Sequence, residues 1–169
     1  DELRLLEDAA CISLNPKRKT AITTDSYVIR PIFFPGGDIG KLSVCGTVND
    51  LVVSGAEPKY LSIGFIIEEG FPMDDLENIL KSISDTAGAA GVKIVTGDTK
   101  VVEKDKGDGI YINTTGVGEI VRPMDLNNVS PGDAVIITGT VGDHGTAVAI
   151  AREEFSIDTA VRSDCAPLA

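Results

Sequence analysis

Gly91-Val92-Lys93-Ile94-Val95-Thr96-Gly97-Asp98-Thr99-Lys100 is the stretch from which the fold can be worked out. Just before it, residues 73–90 carry Leu76, Ile79, Leu80, Ile83, Ala87 and Ala90 on one stripe, with Asp74 and Asp75 in the first turn and Gly91 past the end. That spacing predicts a helix with acids at its positive end and glycine as its stop. Residues 92–95 then predict a buried strand. Residues 58–67, upstream of the helix, are equally strand-like, so the order is strand, helix, strand. Thr96 to Lys100 would put a carboxylate, two hydroxyls and an ammonium on a glycine-loosened turn at the strand's end, which is equipment for a metal and a phosphate.

Working outward, residues 20–24 and 27–32 are extended by their β-branched content. Phe33-Phe-Pro-Gly-Gly-Asp-Ile-Gly40 reads as a loop feeding a helix, whose apolar set Val44, Cys45, Val48, Leu51 and Val52 follows helical spacing and which Gly55 closes. A polar hairpin over 103–109 leads to a second strong strand over 110–121. The alternation predicts a mixed α/β (α+β) domain. Residues 123–132 read as a linker, followed by a strand over 134–138, a glycine-rich turn over 139–145 and a helix over 146–154. Fewer than about forty residues lie beyond the linker, too few for an independent core. The expected division is therefore a domain over 1–130 and the truncated beginning of a second over 131–169.

Of the 169 residues, 26 are acidic and 15 are Lys or Arg, a net charge of -11. Such a balance argues against direct binding to nucleic acid or an anionic membrane, which want Lys and Arg on one face. Cys11, Cys45 and Cys165 show no C-x-x-C spacing, so reduced core or structural thiols in a cytoplasmic protein are expected rather than a disulfide frame. With His144 the single histidine, a zinc site is not expected. The apolar run over 61–67 is far short of the roughly 20 residues that span a bilayer, and no secretory h-region is present. The start at Asp1 and the stop at Ala169 read as those of a fragment.

Nucleotide motifs can be tested one by one. Gly36-Gly-Asp-Ile-Gly40-Lys41 is one residue short of a Walker loop, and Leu42 stands where a magnesium-binding hydroxyl belongs. Gly139 to Gly145 suits an anion at a helix start but lacks the G-x-G opening of a dinucleotide site, and a plain tight turn explains it as well. Residues 105–108 lack the ligand alternation of a calcium loop. What remains is the aspartate set Asp25, Asp50 and Asp98, with Asp8 in Glu7-Asp8-Ala9-Ala10 as a possible fourth. An acidic protein holds a polyphosphate when metal ions invert the local charge, and Mg2+ does so through one or two carboxylates plus phosphate oxygens. Any one Asp in so acidic a chain is ordinarily a surface or capping residue, and only the joint pattern carries weight.

Thr24-Asp-Ser-Tyr-Val28, Phe33-Phe-Pro-Gly-Gly-Asp-Ile-Gly40, Gly46-Thr-Val-Asn-Asp50, Glu68-Glu-Gly-Phe-Pro72, Val95-Thr-Gly-Asp-Thr-Lys-Val-Val102, Ile112-Asn-Thr-Thr-Gly116 and Gly142-Asp-His-Gly145 together resemble the HypE family of [NiFe]-hydrogenase maturation proteins. That family is a branch of the PurM-like (aminoimidazole ribonucleotide synthetase-like) superfamily of ATP-using enzymes. The resemblance covers nearly the whole chain. It implies a PurM-like N-terminal domain whose sheet pairs with its copy in a homodimer to build a barrel, with ATP near the interface. It also implies ATP-driven dehydration of an S-carboxamide on a C-terminal cysteine to a thiocyanate, the source of a cyanide ligand. HypF as carbamoyl donor and a HypC–HypD complex as cyanide acceptor are the implied partners. By the same resemblance Asp8, Asp25, Asp50 and Asp98 are metal ligands, and Asn49, Asp50, Gly97, Thr99 and Lys100 are nucleotide-binding. Lys100 and Asp98 are the implied catalytic pair. Neither the family's C-terminal cysteine nor its N-terminal glycine-rich segment is present, so a weakly Mg-ATP-binding, dimerising fragment is expected. A non-catalytic interaction module, or an enzyme of the selenophosphate synthetase or thiamine-monophosphate kinase type, stands as the alternative.

Overall fold

The structure, a computed structural model, describes residues 12–124, 126–153 and 160–169. Asp8 and Cys11 lie outside the described residues. Among the described residues, six strands and three helices follow in the order β1 (Thr20–Tyr27), β2 (Phe33–Phe34), β3 (Gly37–Asp38), α1 (Ile39–Val53), β4 (Ala56–Glu68), α2 (Met73–Ala89), β5 (Lys93–Val102), β6 (Ile110–Ile120) and α3 (Asp143–Ala151), with a 3-10 turn at Leu126–Asn128. Four strands form one sheet in the order β1-β6-β4-β5, and β2 pairs with β3 in a small ribbon. β4 and β5 are parallel, and α2 supplies the crossover that parallel neighbours require. The other pairings in the main sheet are antiparallel.

Both long helices pack on one face of this sheet. α1 begins where Asp38 Oδ1 accepts the Gly40 and Lys41 N–H groups at 2.7 and 3.1 Å. It buries Ile39, Val44 and Val48 completely against Leu61 and Ile112 of the sheet and Ile79 of α2. Burying each such side chain contributes about 1.5–3 kcal/mol. The polar residues Ser43 and Thr47 of α1 are buried too, a place that apolar spacing did not predict. Ser43 Oγ bonds Gly40 O at 2.8 Å, and Thr47 joins the hydroxyls of Tyr27 and Thr114. α1 can lie this close because β6 has glycine beneath it: a Cβ at Gly116 would sit 2.8 Å from Thr47 Cγ2.

The mixed α/β expectation is met, and five local readings are corrected. β1 does not stop at Thr24, because Asp25, Ser26 and Tyr27 find partners in Thr114, Asn113 and Ile112; residues 28–32 lie outside any strand. β5 does not end at Val95: parallel pairing with β4 carries it through Thr96-Gly97-Asp98-Thr99-Lys100 to Val102, so the acidic motif lies within a strand rather than on a turn. Residues 103–109 are not a hairpin, since β5 and β6 each pair with β4 between them. The Glu68 carboxylate holds this crossing by accepting the Asp105 and Gly109 N–H groups. Residues 134–138 form no strand, because no ladder lies beside them, and Val135 is 92% exposed. α3 starts at Asp143 rather than Thr146, entered through Gly142 at φ 88°, a left-handed turn suited to glycine. Its Ala147 and Val148 are buried, and Val148 joins the core of the main sheet.

Candidate functional site

The face of the sheet away from the helices carries a row of register partners, Ser26, Asn113, Gly64 and Asp98, one from each strand. Side chains alternate along a strand, so the buried Ile110, Ile112 and Thr114 on the helix side put Tyr111, Asn113 and Thr115 on the open side. Gly64 has no side chain, and the sheet dips there into a depression of ≈ 570 Å³ lined by Ser62, Gly64, Thr96, Gly97, Asp98 and Asn113. Lys100 and Tyr111 border an adjoining hollow of ≈ 290 Å³.

Asp98 and Lys100 form an ion pair, and Asp98 Oδ1 also accepts the Thr99 N–H at 2.9 Å. The Lys100 ammonium, then the Thr99 N–H, hold the Asp98 carboxyl below the usual carboxylate range, so it is ionised at neutral pH. Their side chains are 69% and 68% exposed. An exposed pair of this kind contributes little to stability, which leaves both groups available to exchange each other for a ligand. Gly97 is required by packing: a Cβ there would stand 2.5 Å from Ile63 O on the neighbouring strand. Thr99 pairs with Phe65 of β4.

Asp25 and Asp50 lie elsewhere. Asp50 Oδ2 accepts the Thr23 hydroxyl at 3.1 Å, joining α1 to β1, and Asp25 acts on the phenol of Tyr27 from the same side of that strand. β1 and β5 are opposite edges of the sheet, three strand spacings or about 14 Å apart. The expected single cluster is therefore not assembled within one chain, and among the described residues no three His, Cys, Asp or Glu side chains come close enough to hold a metal ion. Asn49 is engaged in a different contact. Its amide donates to Ala166 O at 3.1 Å and accepts from Leu168 N–H at 2.8 Å, strapping the last residues to α1.

Reading the sequence by motifs passed over Asn113, Ser26 and Gly64 as site residues. The Asn113 amide donates to Asp25 O and Ser26 Oγ, each at 2.9 Å, and fixes the polar floor. For Asn113 the signal was available in its place between Ile112 and Thr114 on a strand, where neighbours face opposite sides.

Comparison with known proteins agrees with this fold. The model of the AIR synthase related protein family, N-terminal domain, matches residues 6–120. A carbamoyl dehydratase HypE of Cupriavidus necator is 49% identical over 168 residues, 98% of this chain and 48% of the relative. A crystal structure of hydrogenase maturation protein HypE in complex with ATP superposes with a TM-score of 0.93 at 49% identity, covering 98% of this chain and 50% of that one. The crystal structure of a HypE–HypF complex matches with a TM-score of 0.86 at 54% identity, covering 99% and 54%. The chain spans about half the length of the curated relatives it matches. Among the described residues no helix is long and apolar enough to cross a membrane. With a mixed sheet, two helices on one face and a family model that covers the whole of that unit, the chain belongs to the AIR synthase related protein family.

Proposed function

We propose that this chain is the nucleotide-binding, dimer-forming half of a cytoplasmic carbamoyl dehydratase of the HypE type, with residues 1–130 as the PurM-like domain and 131–169 as the start of a second. The reading rests on the Asp98–Lys100 pair beside the Gly64 depression, an ionised carboxylate and an ammonium next to a floor of hydroxyls and the Asn113 amide. Its support from relatives is the ATP complex of HypE and the carbamoyl dehydratase name. The apolar Val135, Ile136 and Ile137, 92%, 81% and 66% exposed, are what a strand awaiting a second domain would present.

Mg2+ fits the donor set, because it takes one or two carboxylates and otherwise keeps water or phosphate oxygens. Asp98 offers hard oxygen atoms that stay ionised. Asp25 and Asp50, on the opposite edge, would complete the set across a homodimer in which two sheets close into a barrel. Asp8 joins them by its place in the sequence alone. When bound, the ion would neutralise charge on the polyphosphate. Lys100 would leave Asp98 for an oxygen of the transferred phosphoryl group, as a point charge placed before the reaction begins. Thr99 fixes the Asp98 rotamer through its N–H, and Gly97 keeps β5 tight against β4. Asn49 would reach phosphate only with the 166–168 strap released.

In the whole reaction, the carboxamide oxygen of an S-carboxamide takes the phosphoryl group of ATP, leaves as phosphate, and two N–H protons depart to give the thiocyanate. HypF as partner is supported by the solved HypE–HypF complex, and its role as carbamoyl donor follows from the family resemblance. A HypC–HypD complex as acceptor follows from the family resemblance.

Calorimetric titration of Mg-ATP into the chain and its Asp98→Asn variant tests the site. Metal-dependent binding that weakens about tenfold or more, 1.4 kcal/mol, in the variant is expected. Equal affinity in both would remove Asp98 from the site. Failure of the unmodified chain to bind would favour the second reading, a dimerising interaction module, for which the engaged Asn49 amide speaks.

A further inference from the structure

Cys45 and Cys165 are separated by most of the chain and meet on the surface of α1. Both are free thiols, Cys45 at 2% exposure and Cys165 half-buried. They line one cleft of ≈ 540 Å³ together with Asn49 and His144. The segment bearing Cys165 is held on both sides of it. Upstream, the Ser163 N–H donates to Pro35 O at 2.8 Å, the Ser163 hydroxyl lies 3.0 Å from His144 Nδ1, and Asp164 Oδ1 accepts the His144 N–H at 3.1 Å. Downstream, Ala166 and Leu168 are gripped by the two ends of the Asn49 amide. Asn49 stands one helical turn past Cys45 on the same face, and Ala166 follows Cys165, so the strap runs along α1 with one sulfur against the other. The two thiols line the same cleft and each shifts the other's titration.

We propose that Cys45 and Cys165 are a reversible thiol–disulfide site that locks residues 160–169 onto α1 when a low-molecular-weight disulfide such as glutathione disulfide is present. Cys165 is the attacking sulfur: it is the more accessible, and the neighbouring Cys45 thiol lowers its pKa, whereas Cys165 and burial push Cys45 up. The Cys165 thiolate attacks one sulfur of the oxidant, the S–S bond breaks, and one glutathione thiolate leaves. Cys45 sulfur then attacks Cys165 sulfur in the mixed disulfide. The second glutathione departs as a thiolate and takes up the Cys45 proton. Two protein thiols are oxidised to one disulfide, and one glutathione disulfide is reduced to two thiols. The strap anchors hold the sulfurs together before reaction, which favours closure over a lasting mixed disulfide. This site stands apart from the nucleotide reading and does not depend on it.

The test uses the chain with Cys11→Ser, so that only these two thiols remain, incubated folded with glutathione disulfide and read by intact mass and a non-reducing peptide map. A loss of two hydrogens, a Cys45–Cys165 linked peptide, and a thermal midpoint several degrees higher that dithiothreitol reverses are expected. Adding Cys45→Ser should instead trap one glutathione on Cys165. Mixed disulfide persisting on Cys165 when both thiols are present, no reaction of the folded chain, or linkage only in denaturant would each overturn the proposal.

Discussion

At Tyr27 the phenol oxygen lies 3.1 Å from Thr47 Oγ1, and Thr47 in turn meets Thr114, whose hydroxyl reaches Ser43 O at 3.1 Å. The ring is 7% exposed, and Gly46 leaves it room, since a Cβ there would fall 2.3 Å from the phenol oxygen. Burial, with the nearby Asp25 charge adding to it, pushes the Tyr27 pKa up from 10.0 to about 12. The folded state thus holds this proton more tightly than the unfolded one. Its contribution to stability is complete below pH 10 and is lost as pH rises from there through about 12. Urea unfolding across that window should show the loss, and Tyr27→Phe should flatten it at a cost of about 1 kcal/mol at neutral pH. An unchanged slope in the variant would show that another group governs alkaline unfolding.

β5 sets the position of Asp98, and its contact with β4 depends on the absence of a side chain at Gly97. Ile63 O, only 2.5 Å from a Cβ placed there, belongs to a paired backbone that cannot move aside alone. Gly97→Ala should cost about 1–3 kcal/mol in urea unfolding and weaken Mg-ATP binding as the edge strand shifts. Gly88, in the last turn of α2 with nothing within 4 Å of its Cβ position, is the contrasting case. Gly88→Ala should stabilise by about 0.5–1 kcal/mol through helix propensity. Equal effects of the two changes would mean that the β4–β5 spacing is not set by Gly97.

For the whole molecule, the open sheet face decides what a single copy can do. Ile22 is 72% exposed and Ile66 45% on that face, beside the half-buried Tyr60, Tyr111 and Val117. Antiparallel sheets do face water on one side, but with polar residues there; this face mixes hydroxyls with large apolar groups, as a surface to be covered by a second sheet would. Ile22→Glu should leave circular dichroism unchanged while shifting sedimentation from dimer to monomer, with loss of Mg-ATP binding. A variant that remains dimeric would place the contact on another surface.

Much of this was legible in the chain. The stripe from Leu76 to Ala87 specified α2 because helical periodicity is a local property, and the apolar runs in β4 and β6 were legible for the same reason. The charge types of Asp98 and Lys100 were legible too, but their place on one face of an extended strand came only with the pairing of β5 to β4. Strand ends and site membership depended on distant partners. Pairing with β4 alone carried β5 past Val95, and the lack of any neighbour left residues 134–138 without a ladder. The strand order separated Asp98 from Asp25 and Asp50, turned Asn113 into part of the floor, and brought Cys165 to Cys45 and Ala166 to Asn49. The sequence determines where the main helices and strands arise and which chemistry their residues carry, because those follow from neighbours along the chain. Only the tertiary structure decides which of them meet, because contacts between residues far apart in the chain depend on how the elements pack.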